Sequence, residues 1–589
     1  MRQTCVNWAR PTIADGGLRA EANSPQGGSV LYRIKSLAMA GAVLHLGSHP
    51  DDEESGMLAW MARRHGVRTV YWSATRGEGA QNRRGPDKGD ALGIIRTFES
   101  LEARGVDGGE VLYGPFRDFG FSKSGRDTLA RWGRDDVIRE IVRAIRMVQP
   151  MVVVCRWNGD AGDGHGHHQA IGLVAAEAFE AAADRARYGE LTEAGLAAWR
   201  ASKLYRSVSG DWQPGEQAEF GCIVENHERA GYLRIDAGKL DPLSGRTYQE
   251  QAHVAMNRHL SQGMSFVPEP GAYYYYYRLD RGGPVSPARE HDFFDGLDPT
   301  LTGLADGPGR GSPLVRSLLQ KARQSAEAAF EVYHPQRPAE AARHLAVGLS
   351  SLRELASELD RAAFDLNDLA ALEAVVARRV QRFETVLAEC LGLRVECLLS
   401  VPRLTPGGRV RVTVRAWNSG EREATIDAVH LQMPLDWTSR PVDAALQARG
   451  LLPNDAPFEK QYDVELPASE PYSTPYWLRQ PGTPYKYAWP GTGPLGLPLD
   501  PPLVTAALDV DIGTQRCRLQ VPAVHRSGIM GGFREIPLSV LPAIAVAPRQ
   551  VRELLPLPGT DTRLELDVSV RCIEETGARA ILQVSAPPH

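Results

Sequence analysis

Two clusters in this chain have the residue types and spacing of a hydrolytic metal site. The first is His49-Pro50-Asp51-Asp52-Glu53, which follows the apolar run Val43–Leu46 and the pair Gly47-Ser48. One imidazole and three carboxylates crowded into five residues repel one another unless positive charge sits among them, and a metal ion supplies it. The second is the stretch 158–168, NGDAGDGHGHH, which ends in three imidazoles within four residues. Its glycines leave the backbone free to fold over a site. A zinc hydrolase needs about three protein ligands, an open position for water and a general base beside that water. His49 and Asp52, three residues apart on a turn entering a helix, reach one ion. Asp51 between them points differently and is placed to take a proton from the water. The third ligand has to come from another strand end, and the cluster His165, His167 and His168 is its source.

The elements that must position these residues are legible as a strand–helix alternation. Strands are expected at Val43–Leu46, Arg68–Ala74, Glu110–Tyr113 and Met151–Trp157, and helices at Glu53–His65, Ala91–Arg104, Asp135–Val148 and Gln169–Ala182. Helices of ten to fifteen residues between apolar strands imply right-handed βαβ units and a parallel sheet, so the fold class is α/β, Rossmann-like. In such a sheet all strands end on one edge, and the two clusters meet there.

In order along the chain stand HPDDE after a strand, Thr75-Arg76-Gly77-Glu78-Gly79-Ala80-Gln81-Asn82 after the next, Arg96-x-x-Glu99 in the following helix, and His165-x-x-His168. Together they resemble the PIG-L/LmbE-like family of zinc-dependent N-acetylglucosaminyl deacetylases, over roughly residues 41–295. The resemblance implies that His49, Asp52 and His168 bind zinc, with Asp51 as general base. It implies that His165 stabilises the oxyanion or protonates the leaving amine. Arg76, Glu78, Gln81, Asn82 and Arg96 would line the sugar pocket, and His259 and Gln262, in a segment similar to a late family motif, would approach substrate. Asp163 stands where some family members carry a tyrosine, so a role borrowed from that tyrosine does not transfer.

The implied reaction is hydrolysis of an N-acetyl group on an amino sugar or glycoconjugate. The alternatives are a metallo-amidase on another substrate and an inactive carbohydrate-binding protein. A His₂Asp site accepts zinc or iron(II). His167 reads as a bystander, His45 as a core histidine, the tyrosines 273–277 as structural, and Asp118, Asp160 and Arg156 as unassigned.

The 589 residues, of formal net charge −5 and 24% charged, suggest several domains. Near-neutral balance without a basic patch argues against nucleic acid. Seven scattered cysteines without CxxC spacing read as buried thiols. No run reaches membrane-spanning length, and the first forty residues lack a basic-then-apolar signal segment, which leaves location open. The expected organisation is an irregular arm over 1–40, the deacetylase-like domain over 41–300, a Gly/Pro-rich linker over 296–312, a helical connector over 311–395 and β-sandwich modules over 396–589. Exposed aromatics of that last region, among them Trp417, Tyr472, Tyr476, Trp477, Tyr485, Tyr487 and Trp489, suit polysaccharide contact, although sandwich cores use the same residues.

Overall fold

The computed structural model describes residues 28–208, 218–219, 222–223, 232–268, 270–282, 290–359, 366–442, 450–452, 456–491, 493–513, 515–529, 532–548, 568–573 and 581. Most of the arm expected over 1–40 lies outside these residues. The chain forms two compact units: residues 1–390 with 475–500, and residues 391–474 with 501–589.

In the first unit, helix α1 (Gly28–Leu37) precedes a sheet built from β1 (Ala42–Gly47), β2 (Arg68–Ser73), β3 (Glu110–Tyr113), β4 (Val152–Cys155) and β5 (Lys203–Ser207). Its order is β3-β2-β1-β4-β5, all parallel, and Tyr274–Arg281 continues it antiparallel to β5. Strands β2 and β3 add on one side of β1, and β4 and β5 on the other. The direction of winding therefore reverses between β1 and β4, and a crevice opens at their carboxyl ends.

Both sheet faces are covered, which is why these strands read as continuous apolar runs. Leu44, Leu46, Val70 and Trp72 face a core shared with α4 (Gly125–Trp132), α5 (Arg134–Val148) and α6 (Gly166–Ala181). Val43, Tyr71 and Tyr205 face the opposite core with Met57, Leu58 and Tyr248. The helix expected at Glu53–His65 is α2 (Ser55–Ala59) followed by a π-helical turn, Trp60–His65, capped by Gly66 at φ 71°. The next helix, α3 (Asp90–Asp107), contacts β3 and sets Leu101 against that second core.

The expected linker 296–312 is packed structure. Leu301, Leu304 and Ala305 are buried, and Pro299 O accepts from the amides of Ala40 and Gly41. Helices Pro313–Val332, Ala339–Glu358 and Leu366–Cys390 follow. They belong to the same compact unit as the sheet, tied to α1 by Arg33–Glu389 (2.9 Å) and by Arg379 donating to Ser36 O.

The second departure from the expected organisation is residues 475–500. They come between strands of the all-β unit but pack within the first unit, where Tyr476, Trp477 and Tyr487 form a buried cluster. These aromatics therefore do not line a face of the all-β region. The physical reason is Arg76: a buried guanidinium needs acceptors and a flat partner. It lies 3.4 Å over the Trp477 ring, 4.2 Å over Tyr113, and donates to Pro498 O, Leu497 O and Thr97 Oγ1.

The described residues of the second unit form strands that pair mostly antiparallel, with parallel pairing between Leu393–Leu399 and Gln515–Ile529. Arg409–Asn418 pairs with Leu393–Leu399 and Phe458–Glu465, and its alternate residues are buried, as its period-two sequence requires. The long strand Gln515–Ile529 pairs with Thr505–Ile512 through its first half and with Leu393–Leu399 through its second.

Candidate metal centre and active site

β1 ends at Gly47, and the turn that follows is closed by Asp52. Its Oδ2 accepts from the amides of Ser48 (2.9 Å) and His49 (2.8 Å). This folds the chain back so that the His49 ring lies beside the same carboxylate, Nδ1 to Oδ2 at 3.2 Å. The Tyr71 hydroxyl, reaching across from β2, donates to His49 O at 2.5 Å. Gly47 is required for that reach, because a Cβ there would sit 2.1 Å from the Tyr71 oxygen.

From the end of β4 comes the second cluster. Asp163 closes its loop by accepting from the amides of Asn158 (3.0 Å) and Gly159 (2.6 Å). The position that drew attention as a departure from the family pattern is thus engaged with its own loop. His165 caps α6, its Nδ1 accepting from His167 N at 3.0 Å. One turn on, His168 meets His49 and Asp52: Nε2 stands 3.3 Å from His49 Nδ1 and 3.4 Å from Asp52 Oδ1.

The separations of 3.2, 3.3 and 3.4 Å, two of them to different oxygens of Asp52, are close to the edges of a coordination tetrahedron. With ligand bonds of about 2.0–2.2 Å, the edges of such a tetrahedron are about 3.3–3.6 Å. The donor set, two imidazoles and one carboxylate, is one that zinc accepts. His49, Asp52 and His168 therefore fit a divalent metal ion. The partners behind them set the tautomers. His168 Nδ1 lies 3.0 Å from Asp163 O, which only accepts, so its proton is there and the Nε2 lone pair faces the site. The Trp157 ring stacks on His168 at 3.7 Å and 5°, fixing its plane. His49 Nε2 lies 3.1 Å from His167 Nδ1, so His167 is the support of His49 and not a bystander. His49, His165 and His167 also form a second group whose ligand atoms lie within 4.8 Å of one another.

The charges of the cluster respond to one another. Burial works against a charged His49, but the Asp52 carboxylate outweighs it and lifts the imidazole to about 9. Asp52 is held well below the usual carboxylate range: burial opposes this, and His168 and His49 outweigh it. Burial and the adjacent Asp52 raise Asp51. Burial, with His49 and His168 nearby, lowers His165 to about 4 and His167 further.

The remaining expected residues divide. Glu78 is buried, raised to about 7 by burial and by Asp118, and its Oε1 accepts from the Tyr487 hydroxyl at 2.7 Å. Arg96 and Glu99 do not pair along their helix. Arg96 donates to Gly77 O (2.6 Å), Gln81 O (3.1 Å) and Ser261 Oγ, while Glu99 accepts from Ser261 N and Oγ at 2.6 Å. The two residues clamp the 77–81 loop to the 259–262 turn. Gln81 is exposed, and Gln262 keeps a buried Oε1 without a partner among the described residues. Asn82 Oδ1 accepts from the amides of Arg84 and Gly85, shaping its own turn.

Two residues depart from the expectation of substrate contact. Arg76 is wholly buried against residues 476–498. His259 is also wholly buried, its Nε2 2.7 Å from Glu53 Oε1, and Glu53 is bound in turn by Arg104 at 2.9 Å. Arg156 finds Glu54 at 3.2 Å, and His45 faces the same carboxylate at 3.4 Å. Asp118 is buried, with Oδ1 3.9 Å from His167, and Asp160 caps an exposed turn.

Sequence reasoning missed Trp157, the supporting role of His167, and Tyr487. The first two had a signal, since both adjoin the loop after β4. Tyr487 had none.

The family described as PIG-L, GlcNAc-PI de-N-acetylase, matches residues 44–179. A 1D-myo-inositol 2-acetamido-2-deoxy-alpha-D-glucopyranoside deacetylase 2 from Saccharopolyspora erythraea is 31% identical over 290 residues, 43% of this chain and 98% of that protein. A deacetylase of the same description from Kineococcus radiotolerans is 28% identical over 322 residues, 46% of this chain and 87% of that one. The structure of N,N'-diacetylchitobiose deacetylase from Pyrococcus horikoshii aligns at 17% identity and a TM-score of 0.28, over 38% of this chain and 70% of that one.

Two variants probe this geometry. His167→Ala, which removes the partner of His49 Nε2, is expected to weaken metal affinity about 10–100-fold in chelator competition with the circular dichroism unchanged. Unaltered affinity removes His167 from the supporting role. Glu78 binds its proton more tightly folded than unfolded, so the stability it contributes is complete below about pH 4.5 and lost as pH rises through about 7. Glu78→Gln is expected to abolish that fall, of roughly 3 kcal/mol, in urea unfolding compared at pH 5 and pH 8. An equal fall in both proteins contradicts the assignment.

Proposed function

The chain belongs to the PIG-L family of de-N-acetylases, and on that footing we propose that it is a zinc-dependent hydrolase that removes the acetyl group from an N-acetylglucosamine-type sugar. The natural substrate is then a glycoconjugate, and the inositol-linked sugar in the names of the relatives is the first to test. The observation that carries this reading is the convergence of His49 Nδ1, Asp52 and His168 Nε2 at the carboxyl ends of β1 and β4, with Asp51 adjoining.

Zinc, when bound, lowers the pKa of water towards neutrality and polarises the acetyl carbonyl. The protein's own groups do the rest. Asp51 accepts the proton of the attacking water as oxygen adds to the acyl carbon. Its raised pKa suits a base that must afterwards give the proton up. That proton passes to the departing nitrogen as the C–N bond breaks, leaving acetate and the free amine.

His165 holds its Nδ1 lone pair towards His167 N, so a neutral His165 carries its proton on Nε2. An imidazole lowered to about 4 is neutral at pH 7. It is therefore suited to donate a hydrogen bond to the carbonyl oxygen as charge develops, rather than to deliver a proton to the amine. Arg96 and Glu99 hold the loop that carries Glu78 and Gln81, and Gln262 Oε1 is a buried acceptor without a partner among the described residues. We take the all-β unit as a β-sandwich in which Gln515–Ile529 passes from one sheet to the other.

Acetate release from a panel of N-acetylglucosamine conjugates, measured with chelated and zinc-restored protein, tests the reading. Zinc-restored wild type is expected to release acetate, and Asp51→Asn to retain zinc while losing about 10²–10⁴-fold in turnover. Full activity in that variant removes Asp51 from the role of base. Absence of acetate from every conjugate, by protein holding one zinc per chain, overturns the deacetylase reading.

A further inference from the structure

Between α5 and the segment 481–495 lies a cavity of about 520 Å³, and no residue of the His/Asp cluster lines it. That size falls within the range of about 300–1,000 Å³ typical of small-molecule sites. Its charges balance, three of each sign: Lys486 and Arg139 share Asp136 at 2.6 and 2.9 Å, Arg143 meets Glu140 at 2.8 Å, and Glu190 is the third carboxylate of the lining. The lining is therefore formally neutral and offers no net charge to a phosphate, a carboxylate or a cation. The apolar part of the wall is Tyr487, Trp489 and three prolines, Pro115, Pro481 and Pro490. The Trp489 indole N–H is buried and has no acceptor among the described residues.

We propose that this cavity is a saccharide-binding site for an uncharged sugar, separate from the catalytic centre. The chemistry is selective for that class. A sugar hydroxyl donates and accepts at once, so neighbouring hydroxyls bridge the carboxylate and guanidinium of a paired Glu140 and Arg143 without needing net charge. The C–H face of a sugar ring matches the indole and phenol rings. Tyr487 forms part of the wall while its hydroxyl holds Glu78, so the site shares one residue with the loop beside the metal centre. This inference does not depend on the reaction proposed above.

The test is saturation-transfer NMR and calorimetry on the full chain with cellobiose, maltose and lactose, which carry no acetamido group. At least one is expected to bind wild type and His168→Ala alike. Its Kd is expected to rise about tenfold or more, equivalent to 1.4 kcal/mol, in Trp489→Ala and in Arg143→Ala. Circular dichroism monitors folding, and Arg143→Ala carries the test if Trp489→Ala does not fold. Trp489→Phe, which keeps a smaller ring, is expected to fall between. Absence of binding by wild type at the solubility limit of all three sugars overturns the proposal. Binding lost in His168→Ala, or unchanged in a folded cavity variant, overturns it equally.

Discussion

The carboxylate of Asp52 is the point on which the site depends. A buried carboxylate is costly unless it is hydrogen-bonded and paired. Asp52 meets that demand with two backbone amides of its own turn and two imidazoles, one local and one from the far side of the switch point. The same contacts that neutralise it build the turn and bring together three ligand atoms. Remove the carboxylate, and the turn loses its closure while His49 and His168 lose the charge that holds them 3.3 Å apart. A divalent ion completes this balance, because it accepts the lone pairs that the imidazoles and carboxylate otherwise point at one another.

Around that point the fold supplies rigidity in layers. Parallel strands buried on both faces fix where β1 and β4 end. Trp157, Asp163 and His167 then fix the orientation of the rings. The Glu53–His259 and Glu53–Arg104 pairs lie beneath the HPDDE turn and compensate its third acid. Among the described residues Asp52, Glu53 and Glu54 are each met by a named opposite charge or a backbone amide.

How much of this was legible in the sequence follows from how local each interaction is. The strand ends, the turn ligands and the His-x-x-His pair were legible, because apolar periodicity locates strands and parallel topology brings their ends to one edge. The roles of Arg76 and His259 were not: residue type and motif position cannot distinguish an arginine facing a sugar from one stacked on a tryptophan that lies 401 residues on. The placement of residues 475–500 was hidden for the same reason. Their aromatics suit a sandwich core or a sugar platform equally well by composition, and only long-range packing assigns them to the first unit. The π-helical turn after α2 was invisible because its apolar spacing differs little from that of an α-helix over one turn.

The central claim is that one metal ion is held by His49 Nδ1, Asp52 and His168 Nε2. Anomalous X-ray scattering at the zinc edge from crystals of zinc-loaded protein tests it most directly. The account predicts a single anomalous peak at bonding distance from those three atoms, with His167 against the other nitrogen of His49. A peak bounded instead by His49 Nε2, His165 and His167, or none near His49, contradicts it.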